Sequence, residues 1–292
     1  MNRPSPTARP TSWWLSALRR RAQRLDRHYD EPLPPMSFAS DLERRAALKF
    51  FNAAFRAEES GIRQAHELAS EVQRWDPELA EVLRLYGNEE GWHRELLGDF
   101  LGELGGSVEP MGRVTRTLYG VYARAKRMDS IVLSNLMFET IGSTTYRMAL
   151  RNVSQPAARR MLAILTRDEA FHVPLNVHFL RRVLEHEPTS PARLRRLYLA
   201  LFVSLVLLPL ASRPKAQAFD GISTRALMRA YALELGRLFA REHDLRLTPP
   251  KLLLYLLRIT PSELTRDAEA SPTSVEAAER AVDRENVTVT AL

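Results

Sequence analysis

Glu89-Glu90-Gly91-Trp92-His93 and Asp168-Glu169-Ala170-Phe171-His172 are two copies of one pattern, an acid followed by Glu-x-x-His. Positions i and i+3 share a helix face, so each copy aims a carboxylate and an imidazole at the same point. A further glutamate at a helical core position stands upstream of each: Glu58 or Glu59 before the first, Glu139 before the second. With 35 acidic residues and 7 His in 292 residues, two such matches alone would not be far from chance. Their place on apolar stripes is the stronger signal. Leu162, Leu165, Glu169, His172, Asn176, Phe179 and Val183 step by three and four, and so do Val132, Asn135, Glu139, Gly142, Tyr146 and Ala149. A glutamate on the buried face of a helix is costly unless it is paired or binds metal.

Four carboxylates and two imidazoles in this order are the ligand set of a four-helix bundle that holds two metal ions. Two helices supply one Glu each, and the other two supply Glu-x-x-His. The predicted ligands are Glu58, Glu90, His93, Glu139, Glu169 and His172, with Glu90 and Glu169 as bridges. Glu58 is preferred to Glu59 on register. Its neighbours one and two turns away are Phe51, Phe55, Ile62 and Ala65, whereas those of Glu59 include Arg56 and Arg63. His66 and His178 have no Glu three residues before them and are assigned surface or supporting roles. The chain has no cysteine, so any metal is held by oxygen and imidazole. That favours two iron ions, with manganese as the alternative, over structural zinc.

The rest of the chain reads as helix. Ser40-Asp41 caps a first bundle helix that runs to about Trp75, and Asp76-Pro77 opens a second that ends at Gly105-Gly106. A longer connection with helical content over 114–126 leads to a third helix over 128–152. A fourth opens at Pro156 and closes at Pro188, with Pro174 predicted to kink it beside the site. The order of short, long and short connections suits a ferritin-like topology. Residues 197–212 carry no charge and are predicted to form a fifth helix buried against the bundle, too short to span a bilayer. Helices over about 224–243 and 249–259 follow. The predicted organisation is all-α: a basic, partly disordered arm over 1–36, and a domain over 37–264 with its core bundle at 40–187 and extra helices at 191–259. A disordered tail covers 265–292.

The formal net charge of +7 sits mostly in the arm, where residues 1–30 hold seven Arg against two Asp. The body has no excess of the kind nucleic-acid binders carry, and no nucleic-acid partner is expected. Trp13-Trp14 and the Arg19-Arg20-Arg21 run admit two readings, a flexible extension docked on the protein's own surface or an amphipathic contact with an anionic membrane. The first is preferred, and the arm is expected to be dispensable for the metal site. The expected location is cytoplasmic, with membrane association left open.

The paired motifs resemble the EExxH and DExxH motifs of soluble acyl-carrier-protein desaturases and are similar to those of p-aminobenzoate N-oxygenases, both of the ferritin-like di-iron superfamily. The resemblance covers about residues 40–187. It implies a non-haem di-iron centre that reduces O2 with electrons from an external donor, a ferredoxin or reductase. It also implies that Glu89 and Asp168 each orient a ligand histidine on the partner helix. N-oxygenases of this type carry a third histidine where Leu165 stands here. The desaturases' threonine near the third-helix glutamate has no match at Gly142, and Ser143 is the nearest hydroxyl for a proton relay. Hydroxylation, desaturation or another oxidation of a small or acyl-type apolar substrate, free or carrier-bound, is the expected function. The alternative is a ferritin- or rubrerythrin-like protein that handles iron or scavenges peroxide. A homodimer is left open. Ribonucleotide reductase small subunits are disfavoured, because Leu97 occupies the position of their radical tyrosine.

Overall fold

The computed structural model describes residues 9–25, 34, 36–122 and 125–265, and among these there is no strand. The helices in chain order are α1 (Thr11–Leu25), α2 (Asp41–Val72), α3 (Pro77–Glu103), α4 (Arg113–Tyr122), α5 (Met128–Asn152) and α6 (Pro156–His186). After these come α7 (Pro191–Leu207), α8 (Pro209–Ser212), α9 (Gln217–Asp220), α10 (Thr224–Arg241), α11 (Lys251–Leu256) and α12 (Pro261–Thr265).

The ends of the long helices are written in local chemistry. Ser40 accepts from the Glu43 amide while the Glu43 carboxylate accepts from the Ala39 amide, a variant of the reciprocal capping box. Asp76 caps α3 by accepting from the Leu79 amide, with Pro77 at the first helical position. At the other end of α3, Gly105 adopts φ +69°, and the Gly105 and Gly106 amides donate to the carbonyls of Gly102 and Leu101. That pair of bonds is a Schellman stop, which needs a left-handed residue and so favours glycine. Gln155 and Ser190 cap α6 and α7, each followed by proline.

The two hairpins α2–α3 and α5–α6 pack face to face, α2 against α5 and α3 against α6, and the segment holding α4 crosses between them. This is the single-crossover, all-α bundle expected from the sequence. Its far end is aromatic: Phe51 meets Phe100 at 4.7 Å between ring centroids and Phe219 at 5.5 Å. Each buried ring of this kind stabilises the fold by about 1.5–3 kcal/mol. The assignment of α6 as helix continues unbroken through Pro174, which is buried.

α7 packs on α5 and α10 through Leu194, Tyr198, Leu201, Phe202 and Leu205, which are buried, while Val203 and Leu207, and Leu210 of α8, face outward. The helical stretch Pro191–Lys215 is longer than its uncharged centre suggested, and by length and composition alone it could cross a membrane. Its inner face is nonetheless committed to the bundle.

The arm is the main departure from expectation. Within the arm expected to be partly disordered, Thr11 opens a regular helix that lies against α3. Trp14, Ala17, Leu18 and Arg21 form its buried stripe, at i, i+3, i+4 and i+7. Trp14 stands edge-on to Phe171 at 5.4 Å, which matches the docked reading of the arm rather than the membrane one. The stretches expected to be unstructured at 1–8 and 266–292 lie outside the described residues.

Candidate metal centre

The six predicted ligands converge in the middle of the bundle. Glu58 comes from α2, Glu90 and His93 from α3, Glu139 from α5, and Glu169 and His172 from α6. Their donor atoms form three overlapping groups: Glu90, His93 and His172; Glu58, His93 and Glu169; Glu139, Glu169 and His172. The Nδ1 of His172 is 2.9 Å from Glu90 Oε1, 3.6 Å from Glu169 Oε2 and 3.9 Å from Glu139 Oε2. The Nδ1 of His93 lies 3.7 Å from Glu58 Oε2. Glu58, not Glu59, faces this cluster; Glu59 is half-exposed and pairs with Arg56. Gly61, one turn on from Glu58, leaves room for the opposing ligand, since a Cβ there would stand 3.2 Å from Glu90 Oε2.

Both imidazoles are oriented from outside. His93 Nε2 is 3.1 Å from Asp168 Oδ2 on α6, and His172 Nε2 is 2.9 Å from Glu89 Oε2 on α3. Each acid therefore holds the histidine of the other helix. A carboxylate accepting from Nε2–H fixes the tautomer whose Nδ1 lone pair points inward. Glu90 Oε1, His93 Nδ1, Glu169 Oε2 and His172 Nδ1 are buried and, apart from their approach to one another and to Glu58, have no hydrogen-bond partner. Four orphaned donor atoms of carboxylate and imidazole type, turned toward one point, fit a pair of ions held by oxygen and nitrogen.

The electrostatics describe a site strained by its own charge. Burial and the neighbouring charges of Glu139 and Glu58 push the Glu90 carboxyl well above the usual range, and burial and Glu139 do the same to Glu169. Burial would also raise Glu58, but hydrogen bonds with Glu90 and His93 and the His93 charge hold it down at about 2. Burial would lower His93, yet hydrogen bonds with Asp168 and Glu58 lift it to about 10. His172 is raised well above its ordinary value because the Glu90 charge and bonds with Glu169 and Glu89 outweigh burial. Without metal, protons do the neutralising that cations would otherwise do.

Three groups at the centre were missed from the sequence. Tyr86 donates to Glu139 Oε1 at 2.8 Å, and Tyr146 donates to Glu58 Oε1 at 3.0 Å. Their spacing was available, because Tyr86 precedes Glu90 by one turn and Tyr146 lies on the Glu139 stripe. The third is Arg21 of α1, whose Nε donates to Glu89 Oε1 at 2.8 Å and Nη2 to Asp168 Oδ1 at 3.1 Å. The arm, expected to be dispensable for the metal site, thus places one residue against the two acids that hold the histidines. The signal was the helical register, since Arg21 continues the stripe of Trp14, Ala17 and Leu18, whereas Arg19 and Arg20 do not, but the sequence does not name its partners.

A cavity of about 600 Å³ reaches the cluster at Glu58, Glu139 and Glu169. Its wall includes Phe50, Ala54, Phe138 and Ile141 from the bundle, and Leu208 and Leu227 from the added helices. Lys49, Arg56, Arg113 and Lys215 also border it. Gly142 lines it, but Ser143 does not. Ser143 is buried and makes no hydrogen bond to a cluster carboxylate, because it stands on the other side of the α5 stripe from Gly142 and Tyr146. The relay expected at Ser143 thus has no path here. The hydroxyl residues that do border the cavity include Tyr146, bonded to Glu58, and Thr145 and Tyr231, whose oxygens are 2.6 Å apart. His66 is exposed, and His178 is buried with Nε2 3.1 Å from Thr11 Oγ1; neither joins the cluster.

The family model described as Rubrerythrin matches residues 49–175, the span that holds all six converging ligands. That family is part of the ferritin-like di-iron carboxylate superfamily, so residues 49–175 are similar to a ferritin-like di-iron domain. A search of curated proteins returns no match. The matched segment omits α1, which supplies Arg21, and residues 208–231, which supply part of the cavity wall.

Proposed function

We propose that the protein is a non-haem di-iron oxidoreductase that uses O2 to oxidise an apolar substrate, by hydroxylation, desaturation or a related reaction. The observation that carries this reading is the cavity. A space of about 600 Å³, in the range of small-molecule pockets, opens onto three metal-site carboxylates, and part of its wall comes from the helices added to the bundle. Glu58, Glu90, His93, Glu139, Glu169 and His172 would hold the metal pair. A bound pair of irons supplies the site for O2 and the electrons that reduce it. In a hydroxylation one oxygen atom enters the substrate and the other leaves as water, with two electrons and two protons from outside. The electrons come from an external ferredoxin or reductase. Phe50, Phe138 and Ile141 exclude water around the substrate, and the Tyr86 and Tyr146 hydroxyls hold Glu139 and Glu58 in place.

The Rubrerythrin match favours a second reading, iron handling or peroxide reduction without an organic substrate. One experiment separates the two. Protein loaded with ferrous iron is supplied with a reductase, ferredoxin and NADPH, and incubated with panels of fatty acyl and aromatic compounds. The oxidase reading expects a product heavier by one oxygen or lighter by two hydrogens, formed in step with O2 uptake. Rapid turnover of hydrogen peroxide with no organic product, or retention of tens of ferric ions per chain, would move the assignment to the second reading.

A further inference from the structure

We infer that Arg21 is a positioning residue of the metal centre, fixing His172 and His93 through Glu89 and Asp168, so that α1 is a working part of the site. The inference rests on the di-metal reading of the cluster.

Arg21 is almost wholly buried, with 1% of its side chain exposed. Its guanidinium lies 4.5 Å from the centre of the Phe171 ring, inside the second motif. The division of labour at the two acids is regular. Glu89 gives Oε1 to Arg21 and Oε2 to His172, and Asp168 gives Oδ1 to Arg21 and Oδ2 to His93. A guanidinium is planar and presents its donors in a rigid fork. One fork thus sets two carboxylates, and each carboxylate sets one imidazole with Nδ1 turned inward.

The fork is held by the packing of α1. Trp14, Ala17 and Leu18 occupy the preceding positions of the same stripe and are fully buried. Arg21 takes the next position, where an apolar residue would complete the stripe equally well. A cation there has a reason only in the acids it meets, because a buried charge without a partner is strongly destabilising.

The two halves of the centre depend on Arg21 unequally. Asp168 also receives Arg167, at 2.7 Å to Oδ1 and 3.1 Å to Oδ2. Among the described residues, Arg21 is the only guanidinium on Glu89. Losing it leaves Asp168 and His93 tied to Arg167, but leaves Glu89 and His172 without an anchor.

The test uses the full chain, stripped of metal and titrated with Co(II), whose visible spectrum reports ligand geometry. Wild type is compared with Arg21→Met and Arg21→Lys. Arg21→Met, if folded by circular dichroism, should bind Co(II) about 10–100-fold more weakly at one of two sites, the scale of losing a group that orients a ligand. Its remaining spectrum should change, and methylguanidinium added to the solution should restore it. Arg21→Lys keeps the charge and the buried stem but not the fork, and should show a shifted spectrum even if two ions stay bound. Wild-type affinity and spectrum in either folded variant, with only the melting temperature lowered, would reduce Arg21 to a packing residue and overturn the inference. Wild type that binds no pair of ions would instead sink the di-metal reading on which it rests.

Discussion

Metal binding should expel protons, in a number that the electrostatics of the centre set. With His93 held at about 10 and His172 well above its ordinary value, both imidazoles carry two protons at pH 7 in the metal-free protein. A doubly protonated imidazole cannot ligate, so loading two ions must release about two protons from the histidines. Glu90 and Glu169 are pushed upward as well, so any proton they hold in the metal-free protein adds to that release. Taking one proton from His93 at pH 7 crosses about three pH units, which costs metal binding about 4 kcal/mol. Apparent affinity should therefore rise about tenfold per pH unit for each ion whose histidine must deprotonate, from about pH 6 to pH 9. Anaerobic calorimetry of Fe(II) or Co(II) binding, in buffers of different ionisation enthalpy, gives the proton count from the slope of apparent enthalpy. Release of less than about one proton per pair, or affinity flat between pH 6 and 8, would refute the charged-histidine account. The same groups make the metal-free fold sensitive to pH. The pKa of His93 is raised in the folded state, so its stabilising contribution is whole below its ordinary 6.5 and is lost as pH climbs toward about 10. Glu58 acts in the opposite sense: its contribution is present above 4.5 and is lost as pH falls toward about 2.

Three substitutions probe the remaining geometry. Glu58→Ala should cost the protein at least one of its two ions, whereas Glu59→Ala, which removes only a half-exposed pair with Arg56, should leave metal content and melting temperature nearly unchanged; plasma emission analysis of loaded protein decides, and the opposite ranking would contradict the register of α2. Gly61→Val places a side chain against Glu90 Oε2 and should weaken metal binding about 10–100-fold while the helix content stays constant; unchanged affinity would mean Glu90 moves freely. Gly142→Phe fills a lining position where a Cβ meets nothing within 4 Å, so two ions should still bind while uptake of an apolar fluorescent probe falls several-fold; undiminished uptake would show that the probe enters elsewhere.

Much of the bundle is legible along the chain because its information is local. Ser40, Asp76-Pro77, Gln155-Pro156 and Gly105 set helix ends through bonds that reach only a few residues. The stripes through Glu139 and Glu169 state which face is inward, because a helix repeats every 3.6 residues. On those stripes Glu58, Glu90, His93, Glu139, Glu169 and His172 could be picked out before any fold was known, and the structure gathers the same six. Other features depend on what a second helix brings to the same place. Glu89 and Asp168 each serve the histidine of the other helix, which is a fact about how α3 and α6 face one another. Ser143 and Gly142 are adjacent in sequence, yet the cavity takes one and leaves the other, because only one side of α5 faces the space bordered by α2 and α10. Arg21 sits in a run of three arginines, and helical register singles it out without saying which acids it meets. Docking Trp14 against Phe171 turns the first two outward and buries the third between two carboxylates, and that choice is made by packing across the fold.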